Sequence, residues 1–150
     1  MKLYLRLFVI LLALACVACS GRSEGSATGP ASATGAPGST KVEIAFLNHP
    51  PVLAALTDVD KLLVSYGDRV TVIRYDLETD QGAAFAKSKH LAGHVPIAIF
   101  VNGAMEVTLK DRTVKFFSFP QGKGTFMMAS GSWTAEDLRQ TIDQALSRTK

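Results

Sequence analysis

Three histidines, His49, His90 and His94, are the side chains best suited to acid–base work or metal ligation in this chain. An imidazole titrates near neutrality and offers a nitrogen lone pair, so two or three together could hold copper or zinc. Two cysteines, Cys16 and Cys19, stand near the N-terminus, and none follows them. Beyond residue 19 the chain therefore has no disulfide and no thiolate. No serine or carboxylate sits in a recognisable nucleophile motif, which argues against an enzyme. His49 lies within Asn48-His49-Pro50-Pro51-Val52, where a strand-like run hands over to a helical pattern, and His94 precedes Val95-Pro96. The plainer account of all three is histidine on a surface or loop.

The cysteines have a different use. Lys2 and Arg6 form a positive N-terminal region, and Leu7 to Ala15 is an unbroken apolar run. It is too short to cross a bilayer, which takes roughly 20 apolar residues. The run ends in Ala15-Cys16-Val17-Ala18-Cys19-Ser20-Gly21 and resembles a bacterial lipobox, in which a cysteine after a small residue is acylated and becomes the new N-terminus. Cys19 has the fuller apolar stretch before it and linker after it. Cys16, the alternative, has the more usual alanine three positions upstream. An ordinary cleaved export signal with an unmodified cysteine is the remaining possibility. Acyl chains would keep the chain on a membrane, each buried methylene contributing ~0.8 kcal/mol. Residues 1–18 thus read as a lipoprotein signal peptide, on an exported chain whose domain faces the periplasm or the cell exterior.

Formal charge is +3, from 16 basic and 13 acidic residues. Without Lys2 and Arg6 the balance is 14 against 13, so the basic pI is no argument for a nucleic-acid partner. Residues 19–40 read as a flexible linker. They are almost all Gly, Ser, Ala, Thr and Pro, with only Arg22 and Glu24 charged, and no large apolar side chain offsets the entropy of ordering. Such a coil spans ~25 Å root-mean-square, enough to hold a domain off a lipid surface.

The elements that must position the histidines begin at Lys41. Lys41 to Leu47 reads as a strand with Val42, Ile44 and Phe46 on one face. Apolar residues at 52, 53, 56, 59, 63 and 66 give a helical stripe that Gly67 can end, and either proline before it suits a helix start. Val70 to Leu77 is a second strand. Asp80 can cap a helix from Gln81 to Ala92, ended by Gly93. Ile97 to Val101 is an apolar run of the kind covered on both faces, and Asn102-Gly103 is a tight-turn signal. Glu106–Leu109 and Thr113–Phe119 flank a turn and predict a hairpin, and Thr125 to Ala129 predicts one more strand. Thr134-Ala135-Glu136-Asp137 reads as a capping box, with Trp133 and Leu138 as its hydrophobic staple. Leu138, Ile142, Ala145 and Leu146 form the buried stripe of the last helix.

This β-α-β-α-β order, then antiparallel strands and a helix, calls for helices on both sheet faces. Over Lys41 to Leu146 it resembles a thioredoxin fold. The resemblance rests on VTVIRYDLETD, the short helix, Gly93, Val95-Pro96, the apolar strand, Asn102-Gly103 and the closing Gly131–Leu146 segment. It departs from the family in an expansion of about 20 residues between Gly103 and Gly131. The implied architecture is a three-layer α/β sandwich over residues 41–147, with an extra β-hairpin near the C-terminus and a short tail at 148–150.

The resemblance also implies where a site would be. Counted without gaps, His49-Pro50-Pro51-Val52 falls on the family's Cys-x-x-Cys, so both sulfurs are missing and dithiol exchange is excluded. Pro96 matches the proline that thioredoxins hold in cis. Glu43 falls where they carry a buried acid, although an exposed edge residue would explain it as well. The fold would bring His94 beside His49, with His90 one helical turn before His94. Copper-delivering lipoproteins of this fold carry a Cys-x-x-x-Cys and a distal histidine, a pattern absent here. The leading reading is a redox-inactive, membrane-anchored module that binds an extended peptide or an envelope protein in a groove between His49, Pro50, Pro51, Val52 and the Val95-Pro96 loop. The alternative is a protein that binds or delivers copper or zinc through His49 and His94. A third is an accessory docking a redox partner through the hairpin, whose Phe116, Phe117, Phe119, Phe126, Met127 and Met128 should mostly pack inward. No cofactor is called for.

Overall fold

The computed structural model describes residues 32–34, 39–110, 112–124 and 130–148. The signal-like segment with Cys16 and Cys19, Phe126 to Met128, and the strand expected at Thr125 to Ala129 lie outside the described residues. In chain order the elements are β1 (Ser32–Thr34), β2 (Thr40–Phe46), α1 (Pro50–Tyr66), β3 (Val70–Asp76), α2 (Asp80–Ser88), β4 (Ile97–Val101), β5 (Glu106–Leu109), β6 (Arg112–Lys115) and α3 (Ala135–Arg148). The main sheet has the order β1-β3-β2-β4. β2 and β3 are parallel, as a helical crossover requires, while β4 runs antiparallel to β2. The protein is thus a mixed α/β fold.

Alternation along β2 divides the interior. Val42 and Ile44 point to the side of α1 and α3, where they join Leu56, Leu63, Ile97, Ile99, Trp133, Leu138 and Ile142 in the larger core. Ala45 points the other way, into a smaller core with Phe85 of α2, Val95, Ala98 and Phe100. All five residues of β4 are buried, which is what an unbroken apolar strand between two covered faces needs. In α1 the stripe holds at Val52, Leu56, Val59, Leu63 and Tyr66, but Leu53 is 44% exposed, with Ala55 buried instead.

Asn102 and Gly103 both take positive φ, 48° and 85°, giving the tight turn that closes Val101 onto Ala104. β5 and β6 then form the expected hairpin. The chain returns to the main sheet at residues 116–118, where Ile99 N–H donates to Phe116 O and Ser118 N–H to Ile97 O. Phe116 and Phe119 are fully buried and Phe117 half-buried. Thr134 and Asp137 exchange capping bonds at the start of α3, Asp137 N–H to Thr134 Oγ1 at 3.2 Å and Thr134 N–H to Asp137 Oδ2 at 2.8 Å. Arg112 of the hairpin also pairs with Asp137, tying β6 to α3.

Four expectations need correction. The cap of α2 is Thr79, whose Oγ1 accepts from Gly82 N–H at 3.1 Å, while Asp80 lies within the first turn. That helix stops at Ser88, short of Ala92, and His90 sits in a left-handed turn at φ 53°, not on a helix. No peptide bond is cis among the described residues, so Val95–Pro96 is the intrinsically favoured trans form. Finally, Ser32–Thr34, within the stretch assigned to linker, pairs antiparallel with β3, and Thr40 already belongs to β2. An edge strand offers unpaired N–H and C=O groups, so main-chain bonds alone can hold a short segment without apolar side chains.

Candidate functional site

The histidine-bearing junction sits at the carboxyl ends of the parallel strands, the usual place for a ligand crevice in α/β sheets. Phe46 and Asp76 end β2 and β3 side by side, and Leu77 N–H donates to Phe46 O at 2.9 Å. The β2–α1 junction, the β3–α2 junction and the loop before β4 therefore meet at one end. Leu47 N–H donates to Pro96 O at 3.1 Å, which fastens the junction to the proline loop.

His49 is the N-cap residue of α1 in an extended conformation, and its side chain makes no cap bond. Pro50 follows in the first turn, where its missing N–H leaves no bond unmade. The His49 ring instead points across to the next junction, its Nε2 3.2 Å from Glu78 Oε1, with both side chains about half exposed. Asn48 Nδ2 donates to Asp76 Oδ2 at 3.0 Å, and Asp76 Oδ1 accepts from Glu78 N–H at 3.0 Å. The Asn48–Asp76 bond and the His49–Glu78 contact tie the ends of β2 and β3 together. Thr79 caps the adjoining helix, and Gly82 brings it close: a Cβ at 82 would run into the Asp76 carbonyl oxygen.

Of the positions aligned with a dithiol, His49, Pro50 and Pro51 are exposed and Val52 is fully buried in the larger core. Val52 is thus a packing residue. Val95 and Pro96 are buried, and His94 is exposed. Val95 contributes neither its N–H nor its C=O to a hydrogen bond with any described residue. Among the described residues no group of three or more His, Cys, Asp or Glu side chains is placed to hold a metal ion. The contact that His49 makes is to a carboxylate.

Glu43 is buried, not an exposed edge residue. It stands in the middle of the sheet, opposite Ile73 and Phe100, and faces the α2 side. Lys41 Nζ lies 2.7 Å from Oε1 and Lys89 Nζ 3.1 Å from Oε2. Lys89 reaches it across the rings of Phe85 and Phe100, 5.3 and 4.8 Å from their centroids. Composition alone does not reveal this clamp, because Lys89 is 46 residues away in sequence. Burial, and then the nearby Glu43 charge, raise the Tyr75 phenol above its ordinary pKa.

No family model, curated protein or solved structure matches the chain. No described helix is long and apolar enough to cross a membrane.

Proposed function

We propose that this is an exported protein, lipid-anchored through Cys19 or else Cys16, whose thioredoxin-like domain binds an extended peptide or protein segment without redox chemistry. The order of strands and helices, with a junction and a proline loop meeting at the strand ends, supports the family reading. The trans Val95–Pro96 bond is a departure from that family. The single observation carrying the binding role is that the Val95 main chain has no hydrogen-bond partner among the described residues, beside the exposed His49–Pro51 turn. An N–H and C=O without partners among the described residues, just before a strand, can pair with an extended segment, as in strand addition. His49 and Glu78 would flank that segment with polar groups.

The test is nuclear magnetic resonance titration of the full chain with peptides selected from a display library. Amide shifts should concentrate in residues 47–52 and 94–97; shifts confined to other surfaces would remove the reading. Reduction of insulin disulfides should stay at background. Mass spectrometry of the mature N-terminus should find acyl mass on one cysteine, and an unmodified N-terminus would remove the anchor.

A further inference from the structure

The short strand β1 changes where the chain enters the domain. β2 begins at Thr40, level with Val70, and ends at Phe46, level with Asp76. Without β1, the N-terminal segment would leave from Thr40, at the end of the sheet remote from His49 and Pro96. A seven-residue strand puts that exit roughly 20 Å from the site. β1 reverses this. It runs antiparallel to β3, with Thr34 opposite Val72, Ala33 opposite Ile73 and Ser32 opposite Arg74. Ser32 is thus the member nearest the site end, two positions short of Asp76, the residue that holds Asn48 and Glu78.

The pairing has a mechanical logic. β3 is flanked by β2 on one side, and β1 supplies main-chain partners on the other. It pairs with three of the seven β3 residues, Val72 to Arg74. Beside β3, Leu63, Val64, Val70, Val72, Asp60 and Asp68 line a groove of about 400 Å³. The pairing spans only three residues, so few backbone bonds hold it.

We propose that Ser32–Thr34 is a clasp that turns the tether around, so that the chain leaves the domain at the end carrying His49, Glu78 and Pro96. With the N-terminus on a membrane, that end faces the lipid, and the segment it binds belongs to a protein held at the same membrane. This last step rests on the proposed anchor; the clasp itself does not.

Electron–electron distance measurement between spin labels separates the two. The full chain in detergent micelles carries Cys16→Ser and Cys19→Ser, which removes any dependence on acylation. One label is placed at Gly29→Cys, the second at Ala54→Cys near the site end of α1 or at Asp68→Cys beyond its other end. The label at 29 should be nearer to 54 than to 68. Ser32→Pro together with Ala33→Pro should reverse that order, because one of two successive strand residues must present its N–H to β3. A label at 29 nearer to 68 in the parent chain, or an order unchanged by the two prolines, overturns the clasp. A missing acyl group would instead remove the anchor and leave these distances as they are.

Discussion

On the face covered by α1 and α3, β2 sets Val42 and Ile44 among fully buried apolar side chains, closed by Trp133 against Phe116. On the opposite face the same strand sets Glu43 and Ala45 beneath a helix of nine residues. There, among the described residues, five apolar residues are buried, and Tyr75 stacks on Phe85 with ring centroids 3.8 Å apart. One strand with a period of two thus serves two different interiors. The thick face gains its stability from area removed from water. The thin face holds a carboxylate that two lysines must satisfy, because an unpaired buried charge is costly.

The strongest way to break this contrast is truncation. Trp133→Ala should cost about 3–5 kcal/mol in urea unfolding, the range for emptying a large aromatic site. Phe85→Ala should cost clearly less, since Phe85 borders the smaller cluster and retains some exposure. Equal losses would show that the faces contribute alike. Next, Glu43→Gln should cost about 1–3 kcal/mol by leaving the Lys89 ammonium poorly paired. Lys41→Ala should cost under about 1 kcal/mol, because the Lys41 side chain is 47% exposed. If the two variants lose the same stability, the clamp does not depend on burial.

On the thick face, Thr134→Ala should cost about 1 kcal/mol by removing the cap of α3. A further effect is one of pH. Burial, and then the hydrogen bond to Asp143, raise the Tyr66 phenol from its ordinary value to about 12. The unfolded chain releases that proton near pH 10. Folding stability should therefore be intact below about pH 10 and decline as pH rises towards about 12. Tyr66→Phe should reduce that slope in unfolding midpoints measured across the interval.

Regular elements were legible wherever burial had a period. The alternation of Val42 and Ile44 and the stripe in α1 correspond to side chains that must face one way, the apolar run of β4 to a strand covered on both faces, and the Thr134 capping box to helix-end N–H groups that need a partner. Features set by backbone energetics were not legible. Thr79 outcompetes Asp80 for the α2 cap by position, not by type. His90 ends the same helix from a left-handed conformation that no motif announced. β1, Ser-Ala-Thr, carries no apolar pattern that would announce a strand. At the candidate site, the meeting of the His49 junction with Pro96 was what the thioredoxin resemblance implied. The partner of His49 did not: Glu78 is 29 residues away and reaches it only because β2 and β3 end in register.

Gly82 gives that register a vulnerable point. The first turn of α2 rests against the carbonyl of Asp76 with no room for one more carbon. A methyl group there would act as a wedge, driven in where the thin layer is pinned to the strand ends. The helix could keep its own hydrogen bonds and simply ride outward. The damage would then appear one loop away, as Glu78 withdraws from His49. The shape of the end carrying His49 is governed, in that sense, by a side chain that is not there.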